Sequence, residues 1–423
     1  MEAVQKKTVY EVDLKEHRIP ESESLYNQIE NYLIGEGLQK KWAIYMRKNI
    51  VRDWNSCDAP IEKKIWALER GFLPSRVALY GLNEDNYKSF ISDFDYFRIH
   101  PMNNHFAFWI NDKITLKYIF TNPVPSISNP SKSYNLMPEY YLYIENDGHF
   151  SYLMDSPKSL AHDENYLTEL TKMKGILALK PSNGGGGFGF VKLEYRNNQY
   201  FWNDEEISEG EIKERTKELY GYIITAFIIQ HSDFDVVWDR SACTLRIVVV
   251  KQIDDQFKGG ELKVISSYAR FGTEASDGAC NMHTGGVAVS YDFETGEYGN
   301  FFFRYMGFGP NGQTRWDAHP DTGYVLKGKK LPFWEEVKDA VYSACAYLSS
   351  LEYFGVDVVV TEHGVQILEI NSLPAISSPQ GLQGGIYNDP YAEKFFKKKL
   401  TQKMATLTNR ITDFSWRDLL ENI

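Results

Sequence analysis

Apolar residues recur along this chain with two different periods, and the breaks between them fall at glycine, proline and asparagine. Helical spacing marks Ser22–Asn49, where Leu25, Ile29, Tyr32 and Leu33 are followed by Trp42, Ile44 and Tyr45, with an interruption at Gly35 and Gly37. Pro60–Arg70 predicts a second helix ending near Gly71, and Tyr87–Phe97 is a weaker candidate. A short helix starts at the Asn111–Asp112 cap and runs to about Phe120, followed by a Pro/Ser/Asn-rich connector over Pro123–Pro138. From there β-like runs dominate. A hairpin is predicted at Tyr140–Ile144 and His149–Leu153, a helix at His162–Lys172, and a strand ending in Lys180. Strands follow at Phe188–Tyr195 and Gln199–Trp202 around an Asn-Asn turn, then a helix at Glu209–Tyr220 and a strand at Tyr222–Ile229. The β-rich runs Thr244–Lys251, Leu262–Arg270, Gly285–Tyr291 and Asn300–Arg304 precede a helix at Phe333–Leu348 and a last hairpin, Val356–Val360 with Val365–Ile370. The expected class is therefore α+β.

Composition narrows the function more than the fold. The 423 residues suffice for two or three domains with a large core. A net charge of −11 argues against a protein that coats nucleic acid or anionic membrane, while leaving room for a local basic pocket. No apolar run is long enough to span a bilayer, and the first residues, MEAVQKKTVYEVD, lack a signal-peptide core. Cys57, Cys243, Cys280 and Cys345 show no CxxC spacing, so they read as reduced thiols and a cytoplasmic location is expected. The 28 Tyr and 25 Phe read mainly as core and pocket walls. The basic cluster of Lys394 and Lys397–Lys399 reads as a solvated helix face.

Two stretches carry chemistry. Leu177–Phe190 reads LALKPSNGGGGFGF: a strand ending in Lys180, four glycines (Gly184, Gly185, Gly186 and Gly187), then a second apolar run. Glycines allow backbone N–H groups to converge on an anion, and Lys180 adds a point charge. The spacing fits neither GxxxxGK[ST] nor a GxGxxG that opens a helix, which leaves a hairpin flap over phosphates or a merely mobile hairpin. The second stretch is Leu351–Ile376, with Asp357 on one strand and Glu369 and Asn371 on the next. Glu369 and Asn371 are two apart and share a strand face. Two carboxylates and an amide oxygen form a hard-oxygen set suited to Mg²⁺. The bland alternative is a strand end facing solvent.

Lys180 with its glycine flap, followed much later by Asp357 and the LEIN…P run, resembles the ATP-grasp superfamily. Thr244–Leu245–Arg246, Gly285–Gly286, Glu294–Thr295–Gly296, His319–Pro320–Asp321–Thr322–Gly323 and Asn111–Asp112–Lys113 with Pro123 and Pro125 resemble its sugar-transfer-associated family, over roughly Phe108–Gln383. The resemblance implies two α+β subdomains that clamp MgATP, with Mg²⁺ or Mn²⁺ on Asp357, Glu369 and Asn371. It implies that Lys113 and Lys180 reach the nucleotide and that the Thr225–Gln230 hinge, with Phe227, Ile229 and Gln230, receives adenine. Without it, Lys113 would read as a solvated helix lysine. Domains are expected at 1–125 (mixed), 126–230 (small clamp with the glycine lid) and 231–423 (large subdomain, metal site and helical tail).

The activity expected is carboxylate–amine ligation through an acyl phosphate, joining an amine to a carboxylated sugar in surface-polysaccharide assembly. Arg246 and Arg270 are candidates for the acceptor carboxylate and oxyanion, with surface salt bridges as the other reading. His319 is a candidate base or a structural turn residue, and Asn281 enters through the resemblance. Tyr268, Phe271 and Trp316 are candidate faces for a sugar ring. Phosphoryl transfer to a sugar and a non-catalytic ATP-binding partner of a glycosyltransferase are the alternatives. Partners are limited to small-molecule or glycan substrates, without nucleic acid.

Overall fold

The computed structural model describes residues 18–160, 165–184, 186–252, 260–276, 279–304, 314–407 and 414–421. The start of the expected His162–Lys172 helix and Gly185 lie outside them. The chain forms two compact units, Met1–Pro101 with Ile376–Ile423, and Met102–Ala375.

The first unit is helical. Gly35–Gly37 divides the expected long stretch into helices Glu23–Gly35 and Lys40–Ser56, the first capped by the Ser22 hydroxyl, which accepts from the Leu25 N–H. Leu25, Ile29 and Leu33 meet Met46, Ile50 and Trp54 in a core that Trp416 and Leu420 complete. Each such buried aliphatic contributes about 1.5–3 kcal/mol of transfer free energy. The tail, expected with the last sheet, packs instead on this unit. Tyr32 stacks on Phe414 at 4.0 Å, and the Gln380 amide brackets the Ile91 backbone with bonds of 2.8 and 3.1 Å.

The second unit contains, among the described residues, two seven-stranded antiparallel sheets. In space, the first runs Phe150–Tyr152, Tyr140–Ile144, Tyr222–Ala226, Ile176–Pro181, Val191–Arg196, Gln199–Trp202 and Glu205–Ile207. The last of these was not legible as a separate strand. It follows a second tight turn, where Asn203 and Asp204 adopt positive φ just as Asn197 and Asn198 do in the expected one. Helices Tyr166–Lys174 and Glu209–Lys217 cover this sheet through Leu167, Leu170 and Ile212.

The second sheet runs Arg315–Trp316, Phe302–Phe303, Val287–Ser290, Glu261–Phe271, Thr244–Gln252, Tyr353–Thr361 and Gly364–Asn371. Strand Tyr353–Thr361 is buried over nearly its whole length. Helix Trp334–Tyr347 packs on the sheet through Val337, Ala340, Val341 and Ala344, in one core with Val356, Val358 and Ile370. Among the described residues no helix is long and apolar enough to cross a membrane.

Candidate active site

Cross-strand register builds the site. Glu369 pairs with Asp357, Asp357 with Arg246, and Arg246 with Tyr268, on four consecutive strands. Directly opposed residues of an antiparallel sheet share a face, so these four form one polar row across an otherwise apolar sheet. Gly355 pairs with Asn371, which puts Asn371 on the same face. A Cβ at Gly355 would lie 2.7 Å from the Pro374 Cβ and 3.2 Å from the Arg246 Cδ, so glycine leaves the space that the arginine crosses.

Asp357 is 2% exposed and holds two arginines. The Arg246 Nε and Nη2 donate to its two oxygens, the latter at 2.9 Å, and the Arg270 Nη2 lies 3.0 Å from Oδ1. Burial alone would raise its pKa, but Arg246 and Arg270 outweigh burial and hold the carboxyl well below the usual range. Glu369 goes the other way. Burial and the neighbouring Asp357 charge push it up, with Lys113 opposing. Its Oε1 accepts from the Asn371 Nδ2 at 3.1 Å, and its Oε2 lies 3.6 Å from the Lys113 Nζ.

Lys113 ties this hairpin to the glycine turn, because its ammonium also donates to the Gly184 carbonyl at 2.6 Å. It sits on helix Lys113–Ile119, capped by the Asp112 carboxylate as expected. Lys180 ends strand Ile176–Pro181, with its Nζ 5.7 Å from the Tyr140 ring centre. Burial first, then repulsion from Lys113, pulls its ammonium down to about 8, with Glu369 opposing. The strand pairs antiparallel with Val191–Arg196, but the turn is longer than expected and includes Phe188 and Phe190. Gly184, Gly186, Gly187 and Gly189 all adopt positive φ, between 73° and 116°, which side chains rarely tolerate. The Asn281 Nδ2 donates to the Gly186 carbonyl at 3.2 Å, while its Oδ1 accepts from the His283 N–H, so one residue braces its own turn and touches the flap.

Asp357, Glu369, Asn371, Arg246, Arg270, Lys113 and Lys180 therefore converge, with Gly184 tied to them through Lys113 and Gly186 held by Asn281. Other expected residues do not join them. His319 is 1% exposed. Its Nε2 bonds the Gly272 carbonyl at 2.9 Å and its Nδ1 accepts from the Asp321 and Thr322 N–H groups. That is a turn brace, with both nitrogens engaged, rather than a base. The Gln230 amide is likewise engaged, donating to Asp235 and to the Trp238 carbonyl and accepting from the Cys243 N–H. Phe227 is half-buried, 6.2 Å from the Phe190 ring, whereas Ile229 is 67% exposed. Tyr268 and Phe271 are core residues, so neither offers a free face to a sugar.

Two contributors, Tyr140 and Asn103, were missed, and a third, Asn111, had been named only as part of the Asn111–Asp112–Lys113 motif. Tyr140 is fully buried beside Lys180, and its hydroxyl has no partner among the described residues. Asn103 bonds the backbone of Glu352, Tyr353 and Ser372, and Asn111 bonds Ser372, so both fix the ends of the carboxylate hairpin. In a chain this rich in tyrosine and asparagine, no local pattern distinguished Tyr140 or Asn103.

The donor set fits a hard divalent cation. Glu369 is a half-buried carboxylate with Lys113 at 3.6 Å, and the Asn371 Oδ1 is left over when its Nδ2 serves the carboxylates. The Asp357 oxygens, by contrast, already accept from Arg246, Arg270 and Asn371, so that carboxylate is first of all an arginine anchor. Among the described residues no cluster of three or more His, Cys, Asp or Glu is arranged for a metal, so phosphate or water must supply the remaining oxygens. Arg246, Arg270, Lys113 and Lys180 against Asp357 and Glu369 leave two positive charges in excess, the sign a polyphosphate requires.

No curated protein matches the chain. Solved structures similar to it include the ADP complex of purK, an N5-carboxyaminoimidazole ribonucleotide synthetase (12% identity, TM-score 0.34), with 64% of this chain and 46% of that one covered. Others are the D-alanyl-alanine synthetase A of Vibrio cholerae O1 biovar eltor str. N16961 (12%, 0.37, 70% and 65%) and the D-alanine–D-alanine ligase of Bacillus anthracis (14%, 0.33, 74% and 70%). The chain thus spans less than half the length of the first. The family described as sugar-transfer associated ATP-grasp matches residues 130–386, well over half of the chain, including both hairpins and the arginine strands. With Lys180 and its glycine turn on one antiparallel sheet and the Asp357–Glu369–Asn371 hairpin on another, this α+β chain belongs to the sugar-transfer-associated ATP-grasp family.

Proposed function

We propose that the protein is an ATP-dependent carboxylate–amine ligase that releases ADP and phosphate. The observation that carries this reading is the excess of positive charge around Glu369 and Asn371, joined through Lys113 to the glycine turn. ATP and Mg²⁺ are the cofactors that go with an ATP-grasp chain. Glu369 and Asn371 would hold the metal, and Asp357 would join them only if an arginine turned aside. Bound there, the metal supplies charge neutralisation for the phosphates.

The chain's own residues do the rest. Lys180 and Lys113 hold phosphate oxygens, and the turn at Gly184–Gly187 closes over them, with Phe227 and Ile229 at the adenine end. Arg246 and Arg270 each retain guanidinium N–H groups beyond those given to Asp357 and Thr244. These would orient a substrate carboxylate and stabilise the oxyanion formed as an amine attacks its acyl phosphate. Catalysis of this kind is positioning and charge stabilisation rather than covalent chemistry.

For substrates, the reading is a uronic-acid or related glycan carboxylate and a small amine such as an amino acid, in cytoplasmic assembly of a surface polysaccharide. It is supported by the family's association with sugar transfer and by the two arginines. The test is incubation with MgATP and a panel of uronic acids, nucleotide-linked sugars, oligosaccharides, amino acids and peptides, following ADP, phosphate and product mass. Amine-dependent phosphate release with a glycan carboxylate is expected. AMP with pyrophosphate would refute the acyl-phosphate route, and turnover with peptides alone would refute the glycan.

A further inference from the structure

Cys243 and Cys280 are 37 residues apart in sequence, yet their Sγ atoms lie 3.7 Å from each other. Both are free thiols, Cys243 buried and Cys280 half-buried. Their settings differ in backbone support. The Cys243 N–H donates to the Gln230 Oε1 at 2.6 Å, and the residue leads directly into strand Thr244–Gln252. Cys280 lies in a loop immediately before Asn281, the residue whose amide holds the Gly186 carbonyl of the flap. The Ser241 hydroxyl is 3.2 Å from the Cys280 sulfur.

We propose that Cys243 and Cys280 are a hydroperoxide-sensitive modification site whose closure to a disulfide frees the glycine turn by withdrawing Asn281. The Cys280 sulfur attacks a peroxide oxygen: an S–O bond forms, the O–O bond breaks, and the leaving oxygen departs as water with the thiol proton. The Cys243 sulfur then attacks that sulfenic sulfur: the S–S bond forms, the S–O bond breaks, and a second water carries away the Cys243 proton. Two thiols supply the two electrons that the peroxide accepts.

The roles follow from the surroundings. Burial would push the Cys280 thiol up, but hydrogen bonds to Cys243 and Ser241 and the positive Arg270 outweigh it, leaving Cys280 below its ordinary value. Burial pushes Cys243 well up, as it does Cys57 and Cys345, which makes Cys243 the second thiol to react and the other two inert. A disulfide is about 2.0 Å long, so closure shortens the 3.7 Å separation by about 1.7 Å. With Cys243 anchored, Cys280 and Asn281 make most of that move. The Asn281–Gly186 bond, already 3.2 Å, does not survive it.

The test uses the full chain without nucleotide, so it stands apart from the ligase reading. Protein treated with hydrogen peroxide is alkylated and mapped by mass, and hydrogen exchange is followed over residues 182–190. The expected result is a Cys243–Cys280 cross-linked peptide reversible by dithiothreitol, with exchange at the turn faster by about threefold or more. Cys280→Ser should show neither change, and Cys243→Ser should stop at a sulfenic acid that dimedone traps. A wild-type protein oxidised at Cys280 without the cross-link would overturn the proposal, and so would a cross-link that leaves exchange at the turn unchanged.

Discussion

The hairpin Ile176–Pro181/Val191–Arg196 places its working residues at a strand end and in the turn beyond it, and the hairpin Tyr353–Thr361/Gly364–Asn371 places them within its strands. In the first, Asn183, Gly184 and Gly186–Phe190 are exposed, φ is positive at several glycines, and among the described residues Lys113 and Asn281 each give one side-chain hydrogen bond to the turn backbone. In the second, Asp357 and Glu369 face each other across a ladder, with Arg246 in register beside Asp357 and Arg270 reaching it from the next strand. A flap that must admit and release a ligand needs low local stability, whereas a charge cluster that orients phosphates needs a rigid floor. The contrast separates flexibility from charge placement, and mutations should separate them too.

The largest effects should come from the rigid hairpin, in two different forms. Glu369→Gln is expected to lower turnover by about 100-fold or more, equivalent to about 2.7 kcal/mol of barrier, while changing stability by less than about 1 kcal/mol. Its charge is already disfavoured by burial and by Asp357, so losing it relieves the fold. Asp357→Asn should cost both turnover and about 3 kcal/mol of stability, because it strands Arg246 and Arg270 without their counter-charge. Urea melts of the two purified variants, run beside steady-state assays, check the split. Equal stability losses in both would mean that Asp357 is no arginine anchor.

Next comes the flap. A Cβ at Gly186 would lie 2.9 Å from the Asn281 Nδ2 and 3.2 Å from Phe188, at a φ of +78°. Gly186→Val should therefore reduce turnover by about tenfold with a melting temperature close to wild type, since the strain sits in an exposed turn. Differential scanning calorimetry paired with kcat and KM tests this. A large loss of melting temperature would show that the turn belongs to the rigid part.

A smaller effect should appear in pH dependence. The free Lys180 ammonium is held at about 8, below its ordinary 10.5. Between those values the folded protein binds fewer protons there than the unfolded chain. Its contribution to stability is thus present above the unfolded value and lost as pH falls through about 8. Phosphate binding favours the charged form, so MgATP binding should take up a proton in that window and weaken as pH rises above 8. Lys180→Arg should flatten the dependence, because arginine stays charged. Titration calorimetry in buffers of different ionisation enthalpy measures the proton directly, and no uptake near pH 9 would place Lys180 away from the phosphates.

The smallest effect on chemistry belongs to His319. His319→Ala should cost about 1–3 kcal/mol of stability through three lost backbone bonds, yet leave kcat of the folded enzyme within about twofold. A kcat loss of 100-fold in folded protein would restore its role as a base.

These differences also explain what the sequence could reveal. Four glycines between strands, and Glu369 framed by Leu368 and Ile370, are locally improbable patterns, so both hairpins were legible. The pairing of Arg246 with Asp357 spans 111 residues and depends on register, which no local pattern specifies. The same holds for the Gln230 side-chain amide, which braces Trp238 and Cys243, partners 8 and 13 residues further along the chain. His319 failed as a base for a related reason: a turn-rich loop predicts a brace and a site equally well. The tail's packing on the first unit rests on ring contacts such as Tyr32 with Phe414, between the two ends of the chain.

If the carboxylate hairpin supplies the metal ligands and the glycine hairpin the phosphate grip of a single MgATP site, Mg²⁺ and ATP must bind interdependently. The most direct measurement is ATP affinity by calorimetry, with and without Mg²⁺, for wild type, Glu369→Gln and Lys180→Ala. Mg²⁺ should strengthen binding in wild type and, from a weaker baseline, in Lys180→Ala, but not in Glu369→Gln. Full Mg²⁺ enhancement in Glu369→Gln, or unchanged affinity in Lys180→Ala, would contradict it.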